Sequence, residues 1–227
     1  IPVREFNNGE YLTFVTRDGL VKRTDIMDYA RIRQNGLRAI DLVEGDELIS
    51  VNLTDGEQEI MVATRNGLAI KFKEKDARAM GRTTRGVKAI ELNDGDYVIS
   101  ALIAEEGKTV LAITDGGYGK RTEAEEYRCQ TRGGKGVLTY KITEKTGLLA
   151  GVVSASDDED VMLITSEGVV IRMHVDGISK FGRQTQGVRV VKMEEGTSVV
   201  SIALTERYKE EEMPDEMETE AEEATEE

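Results

Sequence analysis

The chain has 227 residues, of which 44 are acidic and 30 basic, and its formal net charge is −14. A single cysteine, Cys129, excludes an internal disulfide bond and suits a reducing cytoplasm, where we expect the protein to reside. No apolar run approaches the roughly 20 residues of a membrane-spanning helix and no secretory signal is visible, so we expect no membrane partner.

The chain repeats one pattern four times, with a period of about fifty residues. In each copy two short β-branched and aliphatic runs flank a glycine turn. This arrangement is typical of a tight β-hairpin, because glycine supplies the positive φ that such turns need. The turn glycines Gly19, Gly67, Gly117 and Gly168 are separated by 48, 50 and 51 residues. We therefore predict hairpins over residues 14–24, 62–72, 112–122 and 163–173.

Two further runs follow the hairpin in every copy. The first begins near a glycine and largely alternates apolar with basic or polar residues, close to the period of two of a half-buried strand. It occupies residues 35–40, 85–90, 135–140 and 186–191, and the second run occupies 48–51, 98–101, 148–151 and 199–202. Four short strands in a repeated unit of this length indicate a propeller blade.

The predicted fold is therefore all-β, a propeller-like array of four-stranded blades. A row of small barrels or sandwiches is the alternative architecture. The chain has no tryptophan, so the core has to come from valine, isoleucine, leucine and alanine on the strands. The predicted repeats cover residues 9–57, 58–107, 108–158 and 159–206.

Basic side chains recur in similar regions of all four copies, around the run that follows the hairpin and on the hairpin arms. Acidic side chains fall mostly in the turns at 41–47, 91–96 and 157–160. If the copies are related by rotation, equivalent loops lie on one rim, which would then carry a curved basic track. Such a surface suits an anionic polymer better than a small ligand, and duplex DNA carries about one charge per 1.7 Å. The plainer interpretation is that these charges decorate solvated loops.

From this recurrence we select fifteen candidate DNA-binding residues. Nothing in the pattern specifies bases, so we expect a sequence-tolerant contact driven by charge and DNA bendability. The candidates are Arg31, Arg33, Arg38, Arg78, Arg82, Arg85, Lys88, Lys120, Arg121, Arg128, Arg132, Lys135, Lys180, Arg183 and Arg189.

The negative charge is concentrated at the C-terminal end. Residues 209–227 hold eleven acidic side chains and one lysine, so the other 208 residues carry only −4 of the net charge. This composition predicts a disordered acidic tail over 207–227. Two interpretations stay open: a solubilising end, or a mimic of DNA charge that competes for the basic rim.

We predict no catalytic residue and no metal site. His174 is the only histidine, and no serine or aspartate pattern marks it as part of a triad. Cys129 lacks histidine support, and thiol reactivity requires an activating environment. The acidic run at 157–160 lacks the spacing of a calcium loop.

One segment carries a specific resemblance. Gln130-Thr131-Arg132-Gly133-Gly134-Lys135-Gly136 is similar to the box heptapeptide of the DNA gyrase A C-terminal domain, and departs from it at Thr131, where the family has arginine. Residues 76–87, 117–122 and 181–188 also resemble that domain, so the likeness covers essentially all of residues 1–206. The acidic tail fits it as well.

The resemblance implies a β-pinwheel, a propeller-like disc of usually six blades that exchange strands and wrap DNA around a basic rim. The four copies resemble the last four blades, with residues 130–136 as a degenerate counterpart of a box that we expect upstream. Residues 1–8 would be the last strand of a preceding blade. Because Ile1 is not an initiator methionine, we expect a fragment or a processed product.

In the family, the wrapping domain serves a holoenzyme that introduces negative supercoils. The resemblance therefore implies three partners: double-stranded DNA, the remainder of gyrase A, and gyrase B. ATP and magnesium would act elsewhere in the holoenzyme, and this chain would need no cofactor. Two alternatives remain: the related C-terminal domain of topoisomerase IV, which guides DNA, and a propeller scaffold for protein partners.

Overall fold

The computed structural model describes residues 3, 5–31 and 34–208 and is almost entirely β. The candidate Arg33 and the tail from residue 209 onward lie outside this part of the chain. The described residues of the segment 1–8 contain no strand. Short 3₁₀ turns lie at Ile26–Tyr29, Glu74–Asp76, Ala124–Glu126 and Val175–Gly177. No helix in the described ranges is long and apolar enough to cross a membrane.

The described strands, numbered in chain order, form four antiparallel sheets. The first sheet runs in the order β3 (Leu48–Thr54), β1 (Tyr11–Thr16), β2 (Leu20–Asp25) and β6 (Val87–Lys88). The second runs β7 (Val98–Ile103), β4 (Glu59–Thr64), β5 (Leu68–Lys73) and β10 (Val137–Leu138). The third runs β11 (Leu149–Ala155), β8 (Thr109–Thr114), β9 (Tyr118–Glu123) and β14 (Val188–Arg189). The fourth runs β15 (Val199–Glu206), β12 (Glu159–Thr165) and β13 (Val170–His174).

The outermost strand of each of the first three sheets comes from the following repeat. For example, β6 of the second repeat pairs with β2 of the first, with Val21 opposite Val87. Strands β10 and β14 pair with β5 and β9 in the same antiparallel way. The four-stranded, propeller-like fold and the exchange of strands between neighbours are thus confirmed.

The exchanged strand belongs to a different sheet from the one that the repeat period suggests. The sequence pattern places four strands inside each unit, whereas the structure gives the run after the hairpin to the preceding sheet. Spacing along the chain does not reveal which hairpin a run will pair with. In the first repeat, residues 37–38 correspond to this run, and they form no strand with any described residue. The fourth sheet accordingly has three strands in the described part of the chain.

A threonine closes each hairpin turn. In the first repeat the Thr16 side-chain oxygen accepts the Leu20 backbone N–H at 3.2 Å. Thr64, Thr114 and Thr165 accept the equivalent N–H at 3.3, 3.1 and 3.1 Å. A register shift beside this threonine recurs in all four sheets, so the turn chemistry is part of the repeat.

Hydrophobic cores form between successive sheets, because neighbouring side chains on a strand point to opposite faces. On β4, Ile60 and Val62 belong to the core shared with the first sheet. Met61 and Ala63 on the same strand belong to the core shared with the third sheet. All four are fully buried. The innermost strands β3, β7, β11 and β15 contact one another in this order.

Candidate nucleic-acid interface

We give the name straps to the segments that follow the hairpins and cross toward the outer strand of the preceding blade. The second, third and fourth straps are residues 77–90, 127–140 and 178–191, and residues 30, 31 and 34–40 are the described part of the corresponding first segment. Each of the later three begins just after a 3₁₀ turn and first meets the outer strand in a parallel bridge. The bridged pairs are Arg23 with Ala79, Lys71 with Cys129, and Arg121 with Lys180.

An equivalent backbone hydrogen bond fixes each of these three straps to the hairpin of the preceding repeat. The N–H groups of Met80, Gln130 and Phe181 donate to the carbonyls of Arg23, Lys71 and Arg121, each at 2.8 Å. Each strap then turns back and adds the two-residue strand at the sheet edge. Equivalent strap residues therefore occupy equivalent places on successive blades.

Hydrogen bonds also join successive straps, because the first residue after each segment donates its N–H to the next strap. The Asp41 N–H donates to the Thr84 carbonyl at 3.2 Å, and the Glu91 N–H donates to the Gly134 carbonyl at 2.9 Å. The Lys141 N–H donates to the Thr185 carbonyl at 3.0 Å. The straps thus form one continuous band along the outer edges of the sheets, which we call the strap rim.

The strap rim carries most of the basic candidates on its surface. The structure exposes Arg31, Arg38, Arg78, Arg85, Lys88, Arg128, Lys135, Lys180 and Arg189, and it half-buries Arg82, Arg132 and Arg183. Some of the exposed groups are paired: Arg85 and Arg38 both contact Asp41, at 3.2 and 3.4 Å, and Lys180 contacts Glu123 at 3.1 Å.

The segment similar to the box, residues 130–136, lies in the third strap and packs against the second. The Gly133 N–H donates to the Ala89 carbonyl at 2.6 Å. Gly136 has a φ of +76°, and a Cβ there would overlap the Ala69 carbonyl oxygen, so only glycine fits without displacement. Thr131, the position that departs from the family, is exposed, as is Lys135.

Two strap arginines bridge to the preceding strap or to the 3₁₀ turn just before it. Arg132 donates from Nε to the Asp76 carbonyl and from Nη1 to the Lys88 carbonyl, both at 2.9 Å. Arg183 occupies the same place in the fourth strap and donates from Nη1 to the Leu138 carbonyl at 3.1 Å. These contacts orient both guanidinium groups on the rim, and each group has five N–H donors, more than the contacts use.

Two candidates, Lys120 and Arg121, are buried in the structure. Lys120 on β9 has no solvent-exposed surface, and Arg121 is 5% exposed. The Arg121 guanidinium donates to the Ile178 carbonyl at 2.6 Å and pairs with Asp157. These side chains hold the fourth strap from beneath, so any influence they have on a rim ligand is indirect.

Lys22 on β2 is a buried lysine of the hairpin arm that is not among the fifteen candidates. It has no exposed surface, and its Nζ donates to the carbonyls of Ala39 and Arg82. Burial lowers the pKa of Lys22 to about 8, with a further decrease from Arg82. Burial likewise lowers the pKa of Lys120 to about 8. The signals in the sequence were the recurrence of basic residues on the hairpin arms and the place of Lys22 among apolar and threonine residues.

Several acidic turn residues serve the fold. Asp46 is 7% exposed and accepts the N–H groups of Asp18 at 2.9 Å and Glu47 at 2.8 Å. Asp96 is 8% exposed and accepts the N–H groups of Asn66 and Tyr97 in the same way. These carboxylates cap the hairpin turns through backbone donors.

The histidine and the cysteine also have structural surroundings. Asp160, on β12, accepts from Arg172 at 2.7 Å and from the Tyr208 N–H at 2.9 Å, and it contacts His174 Nδ1 at 2.5 Å. The Tyr208 N–H first, and then His174 and Arg172, hold the Asp160 pKa far below its usual range. Burial and Glu59 raise the pKa of the Cys129 thiol. In the described part of the chain no histidine, cysteine and carboxylate cluster could hold a metal ion.

Known proteins share the sequence of these repeats. A family model described as the DNA gyrase C-terminal domain, beta-propeller, matches residues 10–55, 58–105, 108–156 and 159–206. The DNA gyrase A protein of Halalkalibacterium halodurans is 60% identical over 203 residues, which are 89% of this chain and 24% of that protein. Its counterpart from Streptococcus pneumoniae serotype 4 is 56% identical over 212 residues, 93% of this chain and 26% of that protein. The chain thus spans about a quarter of the length of these relatives.

Solved structures show the same architecture. A crystal structure of the C-terminal domain of DNA topoisomerase IV superposes with a TM-score of 0.85 at 30% identity, covering 91% of this chain and 65% of that one. A DNA gyrase A C-terminal domain superposes with a TM-score of 0.80 at 24% identity, covering 89% of this chain and 68% of that one. With four matches of the family model along the repeats, this chain belongs to the DNA gyrase C-terminal domain family.

Proposed function

We propose that this chain is a DNA-wrapping domain that bends duplex DNA along its strap rim. The observation that carries the proposal is the recurrence of exposed basic residues on straps that backbone hydrogen bonds join into one band. Lysine and arginine contacts to phosphates release condensed counterions, which gives affinity without base recognition. A band that continues across successive blades favours a bent path over a single point contact.

The proposed contact residues are those strap residues whose side chains reach solvent. Buried Lys120 and Arg121 support the rim in this proposal instead of touching phosphate. Arg33 keeps its predicted role, but it lies outside the described residues. The contact set is Arg31, Arg38, Arg78, Arg82, Arg85, Lys88, Arg128, Arg132, Lys135, Lys180, Arg183 and Arg189.

In the complete protein, we propose that the domain serves the gyrase reaction in the bacterial cytoplasm. The remainder of gyrase A, together with gyrase B, would be its partners, and ATP and magnesium would act on those parts. The wrapped segment would be presented for strand passage so that the holoenzyme introduces negative supercoils. Support comes from the curated gyrase A relatives, which are 56–60% identical over about nine-tenths of this chain.

A second candidate function is DNA guiding without a strong wrap, as the likeness to topoisomerase IV implies. The observation that favours it is the superposition with the topoisomerase IV domain at a TM-score of 0.85 and 30% identity. A topology assay on circular DNA separates the two candidates. A wrap changes the linking number of relaxed circular DNA after nicking and religation, whereas guiding leaves it unchanged.

The first experiment is duplex DNA affinity as a function of salt concentration, measured with and without residues 209–227. We expect log K to fall steeply and linearly with log salt, by about 0.9 for each phosphate contact. Neutralising Lys135 or Arg85 should reduce that slope by about one unit or less, whereas neutralising Lys108, outside the straps, should not. Salt-insensitive binding would refute a phosphate-tracking rim and favour a protein-binding scaffold.

The same measurement tests the acidic tail. If residues 209–227 compete with DNA for the rim, their removal should raise affinity most at low salt, where charge interactions are least screened. Equal affinity of the two proteins at low salt would leave the tail as a solubilising segment.

A further inference from the structure

The hairpin arms hold a position that is lysine in two repeats and isoleucine in the other two. Lys22 and Lys120 occupy it in the first and third repeats, three residues after the turn glycine. Ile70 and Ile171 occupy it in the second and fourth. Lys22, Ile70 and Lys120 are all fully buried. The position therefore accepts an apolar residue, and lysine there needs a reason beyond packing.

Each buried lysine is bound by strap backbone. The Lys120 ammonium donates to the carbonyls of Gly182 at 2.8 Å and Arg183 at 2.6 Å, and to the Thr185 hydroxyl at 3.2 Å. Three acceptors match the three N–H donors of the ammonium group. Lys22 likewise donates to the Arg82 carbonyl in the second strap and to Ala39. Because Arg82 and Arg183 occupy equivalent places, the two lysines hold the same point of two different straps.

Neither ammonium group takes part in a salt bridge within the described residues. Glu126 and Arg183 are the charged groups that act on Lys120, and Asp28 and Arg82 act on Lys22. A buried charge is costly unless its hydrogen bonds are satisfied. The strap carbonyl oxygens supply hydrogen bonds that offset part of this cost, so each ammonium group is coupled to the position of the strap backbone.

The third strap uses a different support. Ile70 lies beneath it, and Arg132 holds it from the surface through the carbonyls of Asp76 and Lys88. A buried lysine thus fixes the second and fourth straps from inside the blade, next to the arginine that the rim presents, and the fourth strap has the surface contact of Arg183 with Leu138 in addition. The third strap has isoleucine in place of the lysine and keeps the surface contacts of Arg132.

We propose that Lys22 and Lys120 are positioning residues for DNA binding: each holds the backbone of a strap so that Arg82 or Arg183 is presented on the rim. This inference rests on the proposed function. The lysines touch no DNA, and their effect passes through the arginine whose carbonyl they bind.

A double-mutant cycle on DNA affinity tests the coupling. We expect Arg183→Gln and Lys120→Met each to weaken binding roughly threefold to tenfold at moderate salt. Because both changes remove the same contact between Arg183 and DNA, their effects should not add. The double variant should have about the same DNA affinity as whichever single variant binds DNA less tightly. The matched control pairs Lys120→Met with Arg132→Gln on the third strap, where the two effects should multiply. Ile70→Met should leave affinity unchanged.

Two results would overturn the inference. One is wild-type affinity in Lys120→Met. The other is full multiplication of the Lys120→Met and Arg183→Gln effects, because a general loss of positive charge would act independently of Arg183. The cycle of Lys22→Met with Arg82→Gln repeats the test on the second strap. Folding of the methionine variants is expected because isoleucine fills the same site in a neighbouring blade.

Hydrogen exchange of the strap amides separates this inference from the proposed function. In Lys120→Met, exchange should accelerate at residues 182–185 and stay unchanged at residues 131–134. If the wild-type protein failed to bind DNA, the proposed function would fail, and the exchange data would still decide whether Lys120 holds the strap. Unchanged exchange at 182–185 would show that it does not.

Discussion

Replacement of Gly67 by alanine tests whether the exchanged strand makes the hairpin glycine indispensable. Gly67 has a φ of +88°, and a Cβ there would lie 2.5 Å from the Tyr140 carbonyl oxygen. The third strap approaches this closely because the N–H groups of Thr139 and Tyr140 donate to the Gly67 carbonyl at 2.8 and 3.2 Å. The new methyl group has to push the strap away.

The fourth repeat offers a matched control. Gly168 occupies the same hairpin position with a φ of +80°, but a Cβ there would meet no described atom within 4 Å, since no exchanged strand covers this hairpin in the described part of the chain. Gly168→Ala should therefore cost only the left-handed backbone conformation, about 1–2 kcal/mol. Gly67→Ala should cost that amount plus the two displaced hydrogen bonds, about 1 kcal/mol each.

The assay is urea unfolding followed by circular dichroism, because the chain has no tryptophan to report by fluorescence. We expect Gly67→Ala to lower the free energy of unfolding by about 3–4 kcal/mol and Gly168→Ala by about half as much. Duplex DNA affinity should fall only for Gly67→Ala, since only that change displaces a basic strap. Equal destabilisation by the two substitutions would refute the view that strand exchange makes this position sensitive.

Three further predictions concern the cores and two titrating sites. Phe72→Ala removes a fully buried ring between the first two sheets and should lower the free energy of unfolding, measured in urea, by about 3–5 kcal/mol. Val170→Ala, at a half-exposed edge, should lower it by less than about 1 kcal/mol. Similar losses for the two variants would contradict the core assignment. The lowered pKa of Asp160 means that its ionised carboxylate stabilises the folded state above the unfolded-state pKa of about 3.9. This stabilisation is lost as the pH falls toward the folded-state pKa. In thermal melts, the melting temperature of Asp160→Asn should therefore depend less on acid pH than that of the wild type. Lys22 and Lys120 release protons near pH 8 when folded but near 10.5 when unfolded, so the free energy of unfolding should rise with pH in that window, and the double variant Lys22→Met/Lys120→Met should lack the rise.

The repeat pattern was enough to predict the blades, because hairpin glycines and alternating apolar residues are local features. Thr16 and Gly19 act within one turn, and their counterparts recur at the same spacing. The exchanged strands were beyond reach of the same reasoning. Residues 87–88 have the alternation of a strand, but nothing local tells whether they pair with β5 of their own repeat or β2 of the preceding one.

The sequence predicted the exposed residues of the candidate site but not the buried ones, because burial depends on distant parts of the chain. Arg85, Lys88 and Lys135 are on strap surfaces, where a basic residue near a glycine loop is usually exposed. Lys120 has the same charge and a similar sequence neighbourhood, but the fourth strap folds over it. Its burial depends on a segment some sixty residues further along the chain, as the contact with Gly182 shows.

Strand exchange gives the array a direction. Each of the first three sheets gains its fourth strand only when the next repeat has supplied its two-residue strand. The stability of an earlier blade therefore depends on the repeat that follows it. Loss of a repeat from the C-terminal side would open the edge of the blade before it, whereas loss from the N-terminal side would leave the remaining edges covered. During synthesis, the outer edge of each of these three blades therefore stays unpaired until the following repeat has been made. Until then that edge is open to pairing with other chains.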